Sequence, residues 1–429
     1  MVNLRIIFFM DNKIEQSLEQ KQVKLFKPLV DGVLKALQEI FNESRKADKV
    51  IGGVLKSNPK WGARDRAFIA ENTYEIVRNW RLIKFCSGIE CERVSEEKDF
   101  LTLISTWFIL NNIDITNYHY LPALPISKDF EKNTLAQNDR KIKYSVPNWM
   151  DDLCAKELGE SWETELKALH TQADVYLRVN TLKISKQKLK KLLEEKNIFS
   201  DDVEGVENAL KLKKRSNVFG LEEFKKGFFE VQDAGSQMIS EFLDVNNKHR
   251  VIDACAGAGG KSLHLAAIME NKGKVISLDI EDFKLQELKK RAKRNGIDTI
   301  ETRLIETKTL KRLKDSADRL LLDVPCSGLG VLKRNPDAKW KLRPEFIEEI
   351  KLVQAEILFE YSKMLKVGGK MVYATCSILK SENEDQVESF LKLNKEFKLI
   401  EQKRVYASKE GFDGFYMALI EKTKAQISE

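Results

Sequence analysis

Histidine is scarce in this 429-residue chain, with four in all, and no two of its six cysteines stand in a CxxC pair. A structural zinc site assembled from such residues is therefore not expected, nor is any other metal. The cysteines (Cys86, Cys91, Cys154, Cys255, Cys326 and Cys376) are scattered, and no signal-peptide pattern opens the chain. That usage fits reduced thiols in a cytosol better than a disulfide frame. Long apolar runs are missing too: "VNLRIIFF" at residues 2–9 is too short to span a bilayer, and Asp11 with polar residues follows at once. The stretch reads as an extension ahead of Met10 or as a first helical turn. No membrane partner is expected, and the protein reads as cytoplasmic. There is no fixed-period repeat and no strong charge imbalance. A net charge of +7 permits a nucleic-acid partner without requiring one.

What is present is the composition of a folded chain, 42% hydrophobic and 32% charged, and too long for a single core. From about Val23 to Leu110, "LVDGVLKALQEIF" and "RDRAFIAENTYEIVRNWRLIKF" space apolar residues by three and four, which predicts helices. Between Asn111 and Ser145 the period fades, Pro122 and Pro125 appear, and "EKNTLAQNDRK" is polar, so a linker is expected. A mixed segment follows, with strands in "VYLRVNTLK" and "GFFEVQD" around the helical "SKQKLKKLLEEKNI". From Ala234 onward strands and helices alternate, which predicts a parallel sheet covered on both faces. The expected division is a helical domain with linker over residues 1–140, a small α+β subdomain over 141–233, and a doubly wound α/β domain over 234–429.

Ligands of such sheets bind beyond the carboxyl ends of the strands. The first strand of the last domain runs into "DACAGAGGKS", where glycines allow a sharp turn and a close backbone approach. A Walker A loop would need glycine at Cys255, and a GxGxxG dinucleotide fingerprint would need glycine at Ser262, so both fail at a required residue. What remains is a glycine-rich turn with Asp279 ending the next strand in "VISLDI", suited to an adenosine ribose. Without a phosphate cradle, S-adenosylmethionine fits this turn better than a nucleotide phosphate.

Two thiols are expected at the same sheet edge, Cys326 in "LLLDVPCSG" and Cys376 in "YATCS". Cysteines at strand ends are usually small hydrophobes. Two of them with an acid, Asp323, beside a methyl donor define a chemistry. A thiolate added to carbon 6 of cytosine turns the ring into an enamine whose carbon 5 attacks the methyl group. A carboxyl near ring nitrogen 3 stabilises the charge that develops there, and Asp323 is placed for it.

At these residues the chain resembles the RNA cytosine-5 methyltransferases of the RsmB (Sun, Fmu) type. "RVNTLK", "VQDAGSQ", "DACAGAGGKS", "LLLDVPCSGLGVLKRNPDAKW", "LKVGGKMVYATCS" followed by "NE", and "DGFYMALIEK" match its blocks in order from about Arg178 to Lys422. The resemblance implies a class I Rossmann-like methyltransferase domain preceded by a small α+β subdomain and an all-helical NusB-like domain, the last carried by "KWGARDRAFIAENTYEIVRNWR". It implies that Cys376 is the nucleophile, that Cys326 serves product release and is the best-placed candidate to take the carbon 5 proton, and that Asp323 serves the cofactor or the base. It also implies that Cys255, Ala256, Gly257, Ala258, Gly259, Gly260, Lys261 and Asp279 bind S-adenosylmethionine. The family's adenine-site aspartate has Glu306 as its nearest counterpart here, and the family's "PGG" is "AGG". For RNA contacts, Lys333, Arg334 and Lys339 beside Trp340 are the expected residues. Arg64, Arg66, Arg78 and Arg81 read more readily as the solvated face of a helix. The expected activity is 5-methylcytosine formation in RNA, most readily small-subunit ribosomal RNA, by a monomer. The same reaction on transfer RNA and a non-catalytic ribosome-assembly factor are the alternatives.

Overall fold

The computed structural model describes residues 24–91, 93–124 and 133–424, so the expectations for residues 2–11 lie outside the described residues. The chain divides into two compact units between Ser145 and Val146. In the first, helices Lys27–Asn42, Ala47–Ser57, Ala63–Arg78, Trp80–Ser87 and Glu97–Leu110 pack around Val33, Leu37, Ile69, Ile76, Ile83 and Phe108. Their period-3.6 apolar stripes are what the spacing predicts. At the described ends of the expected linker, Tyr118 and Tyr120 hydrogen-bond the backbone of Leu25, and the Ser145 hydroxyl accepts from the Leu82 amide at 2.9 Å. Among the described residues no helix is long and apolar enough to cross a membrane.

The second unit opens with helices Asn148–Leu158 and Ser161–Leu169 and a four-stranded antiparallel sheet. Its strands are β1 (Tyr176–Val179), β2 (Ser200–Val203), β3 (Val206–Leu212) and β4 (Phe229–Val231), in the order β2-β3-β1-β4. The β2–β3 hairpin escapes a periodicity reading because β2, at the sheet edge, buries only Ser200 fully, exposes Asp201 and Asp202, and has Val203 as its one apolar residue.

A seven-stranded sheet follows: β5 (Arg250–Asp253), β6 (Lys274–Asp279), β7 (Ile300–Leu304), β8 (Ala317–Asp323), β9 (Leu365–Thr375), β10 (Phe397–Val405) and β11 (Phe415–Lys422). Its order is β10-β11-β9-β8-β5-β6-β7, with β5 to β9 parallel and β11 antiparallel to both neighbours. The strand order reverses beside β5, as in a Rossmann-like doubly wound sheet. The run "LLL" in β8 reflects burial on both faces: Leu320 and Leu322 pack with Ile252 and Ile276 on one side, Leu321 with Val251 and Val372 on the other. The antiparallel pair at the edge departs from an all-parallel expectation.

Glu230 on β4 joins the small sheet to the large one. Its buried carboxylate accepts from Arg291 at 3.0 Å, from Arg294 and from Asn295, all on the helix Asp282–Asn295. Burial alone would raise this carboxyl, but the Arg291 charge and the bonds from Arg294 and Asn295 outweigh it and hold it below the usual glutamate range. Removing the acid strands two cations, so Glu230→Ala should cost about 3 kcal/mol in a urea melt. Because the folded-state carboxyl is depressed, its stabilisation is present above the unfolded glutamate value and is lost as pH falls through the folded one. The stability gap between wild type and Glu230→Gln should therefore shrink from about pH 6 to about pH 3. A gap that stays constant with pH would show that Glu230 is not held ionised by these partners.

Candidate active site

The site grows from the carboxyl ends of β5, β6, β8 and β9. After Asp253 the chain turns through Gly257 (φ +54°) and Gly259 (φ +84°) into the helix Gly260–Ile268. These glycines differ in purpose. A Cβ on Gly259 would sit 2.3 Å from the Leu288 side chain, so that residue is small for packing, whereas a Cβ on Gly257 or Gly260 meets no protein atom within 4 Å. The latter two therefore leave open space for a ligand to approach the backbone. Asp279 at the end of β6 steadies the turn, accepting from the Gly257 amide at 2.9 Å and the Glu281 amide at 2.9 Å. A carboxylate has about four acceptor sites, so these two bonds leave capacity for hydroxyls.

A cavity of about 280 Å³ opens at this loop, lined by Asp253, Cys255, Ala256, Gly257, Gly260, Lys261 and Asp323 together with Gln232, Ser236 and Arg291. Asp279 stands outside its lining. Glu306 is exposed and caps the helix Thr307–Arg312, and it does not border the cavity either. Asp253 is buried, with one oxygen bonded by the Ser262 hydroxyl at 2.6 Å and the other without a partner. Burial pushes it up to about 7, with the Ser262 bond opposing and the neighbouring Asp323 charge adding. An unpaired carboxyl oxygen in the wall of the cavity is a ready partner for a ligand amine. Arg178 of β1 crosses from the small sheet and donates to the Gly260 carbonyl and to Gln232, and burial pulls it down to about 9.

The thiols lie at the ends of adjacent parallel strands, with Asp323 opposite Ala374 in register. Cys326 Sγ is 3.2 Å from Cys376 Sγ, and both cysteines are free. The contact with Cys376, burial and the Glu382 charge together push the Cys326 thiol well up. Cys255 is likewise pushed well up, by burial first and then by Asp253, Asp323 and Asp279. Beside them Lys261 Nζ pairs with Asp323 Oδ2 at 2.6 Å. Burial pulls Lys261 down, but Asp323 outweighs it and keeps the ammonium charged, with Cys376 adding to the same effect.

The basic loop after Cys326 corrects the expected RNA contacts. Lys333 and Lys339 are only 6% and 3% exposed. Lys333 donates to the Gly411 carbonyl at 2.6 Å, and Arg334 is clamped between Asp233 and Asp413. Lys333 and Arg334 thus fasten the loop to the domain core, and the buried Lys339 lies over the Trp340 ring. In the helical unit Arg66 bonds the carbonyls of Trp61 and Leu55, and Arg78 is buried on Glu75, which leaves Arg64 as the exposed member of the four. Asp253, Arg178, Gln232 and Ser236 lie within quoted sequence blocks, but only the fold shows that they meet at the cavity.

A family profile described as 16S rRNA methyltransferase RsmB/F matches residues 240–421, and the RsmF/B-like ferredoxin-like domain matches residues 146–219. The chain is similar to ribosomal RNA small subunit methyltransferase B of Proteus mirabilis, 34% identical over 65% of this chain and 66% of the relative. Similarity extends to the protein of that name from Escherichia coli, 31% identical over 66% of this chain and 68% of the relative. In a Synechocystis relative the match spans 60% of its length. Among solved structures, PH0851 superposes with a TM-score of 0.79 over 94% of this chain and 100% of its own, at 24% identity. NSun6 from Pyrococcus horikoshii gives 0.60 over 65% and 98%, at 23% identity. At those identities the two structures show a shared fold.

The raised thiols should be slow nucleophiles. In the folded protein at about pH 7.5, Cys255 and Cys326 should react with iodoacetamide at least about tenfold more slowly than exposed Cys91, read by peptide mass spectrometry. A rate at either site equal to that of Cys91 would mean that its thiol is not held protonated.

Proposed function

Since the chain belongs to the RsmB/F family of 16S rRNA methyltransferases, we propose that it methylates carbon 5 of a cytosine in small-subunit ribosomal RNA with S-adenosylmethionine as donor. The observation that carries this reading is the pair of sulfurs 3.2 Å apart at the end of the same sheet as the Lys261–Asp323 pair, which lines the glycine-loop cavity.

The cavity fits the donor: Gly257 and Gly260 leave room along the backbone, and Asp253 offers its unpaired oxygen to an ammonium, while Asp279, beyond the cavity's lining, keeps acceptor capacity for hydroxyls that extend past it. When bound, the donor supplies an electrophilic methyl group. The protein's own residues do the rest. Cys376 adds to carbon 6 as a thiolate, the form in which sulfur is the nucleophile. Asp323, oriented by its 2.6 Å bond from Lys261, supports the charge that develops on the ring. Cys326 sits on the sulfur that must leave. Carbon 5 gives up its proton to a water molecule as the carbon–sulfur bond breaks and its electrons return to Cys376; Cys326, held protonated, donates a hydrogen bond to that sulfur and so is not itself the base. The target base must leave its stack to reach so enclosed a pair, which favours unpaired or flipped cytosines.

Labelled S-adenosylmethionine with total RNA from a strain lacking the protein, followed by bisulfite mapping, should place the label on cytosines of 16S rRNA. Label confined to transfer RNA would replace the substrate, and none at all would overturn the activity. Cys376→Ala should abolish both methyl transfer and the covalent RNA adduct, whereas Cys326→Ala should accumulate an adduct that survives SDS electrophoresis. The reverse pattern would exchange the two roles. Gly260→Ala points a methyl group into the cavity without a clash, so it should weaken S-adenosylmethionine binding about tenfold in calorimetry while the melting temperature barely moves. Unchanged affinity would place the donor elsewhere.

A further inference from the structure

Fifty residues separate Cys326 from Cys376, yet each is followed by a serine, and the two serines converge on one buried acid. Glu382 has no exposed surface. Its Oε2 accepts from the Ser327 amide at 2.8 Å and from Gln354 Nε2 at 2.9 Å, and its Oε1 accepts from the hydroxyls of Ser327 and Ser377. Each hydroxyl in turn accepts from the amide two residues on, Leu329 for Ser327 at 3.4 Å and Leu379 for Ser377 at 3.1 Å. The two hydroxyls are also 3.1 Å apart, so one of them can share its proton between the acid and the other serine. Four donors on two oxygens match an ionised carboxylate, which only accepts.

The acid is itself held from several sides. The Glu382 carbonyl accepts from the Tyr373 hydroxyl at 2.7 Å, and Gln354 reaches the Pro325 carbonyl at 3.0 Å. Neighbouring Asn383 donates to the Ser377 carbonyl at 3.0 Å, and the Ser381 amide bonds Glu157 at 3.0 Å.

We propose that Glu382 is the positioning residue of this site: its carboxylate ties the residue after Cys326 to the residue after Cys376 and thereby sets the gap between the two sulfurs. This rests on the reading of the two thiols as the working pair. A second effect follows from charge. The same anion disfavours a thiolate on Cys326, so the acid also helps to keep that sulfur protonated.

The test uses the folded, full-length protein. Without RNA, iodoacetamide labelling at Cys326 and Cys376 is followed by peptide mass spectrometry in wild type, Glu382→Gln and Glu382→Asp. Methyl transfer to 16S rRNA gives kcat and KM for the same proteins. Glu382→Gln should speed Cys326 alkylation about tenfold, because the opposing charge is gone. It should also lower kcat about a hundredfold with KM changed little, because misplaced sulfurs still bind RNA. Glu382→Asp, charged but one methylene shorter, should restore slow alkylation of Cys326 without restoring kcat. If the Gln variant does not fold, Ser327→Ala and Ser377→Ala each remove one link, and each should lower kcat about tenfold. Alkylation rates and kcat within about twofold of wild type in the folded variants would overturn the proposal. A wild-type protein that transfers no methyl group would defeat the functional reading instead, while the alkylation pattern would still decide the role of Glu382.

Discussion

Parallel pairing of β8 with β9 is the constraint on which the rest depends. With Asp323 fixed opposite Ala374, the chain beyond each strand emerges at the same level, and the two cysteines meet although they are far apart in sequence. A slip of one residue would put Arg319 or Asp323 in the place of a buried leucine. The polar residues that flank the leucine run thus resist such a slip and help to fix the spacing of the two sulfurs.

Around this pairing, charge is arranged so that each buried group has an assigned state. Lys261 stays cationic through Asp323, Asp253 sits near neutrality with a free oxygen, and Cys326 and Cys255 are held as thiols. In a medium of low effective dielectric such assignments are strong, and each depends on its neighbours. The geometry of Asp413 follows the same rule: burial first and then Asp233 push it up to about 7, with Arg334 as counterweight.

Much of this was legible in the sequence, for identifiable reasons. Continuous apolar runs marked the buried strands, and the failure of two phosphate-loop patterns at Cys255 and Ser262 left a glycine turn that the fold places beside a cavity. The basic loop was misread because a lysine or arginine looks the same in sequence whether it faces solvent or a buried acid. The acids that claim Arg334, Asp233 and Asp413, lie 101 and 79 residues away. Nothing local announces such a pairing. The β2–β3 hairpin was missed because an edge strand need not carry an apolar face, and Glu382 because its donors come from three separate segments.

Arg178 carries one more consequence. Its guanidinium starts on the small sheet and ends on the Gly260 carbonyl, inside the turn that frames the cavity. Arg291 closes the circuit from the other side, bonding both Glu230 of the small sheet and the Ala258 carbonyl. The two sheets are thus one thermodynamic body at this point. Any ligand that orders the turn lends its binding energy to the small sheet, and any thermal loosening of that sheet is felt as weaker grip on the ligand. An excised large sheet would retain its topology but lose the brace that gives the turn its shape.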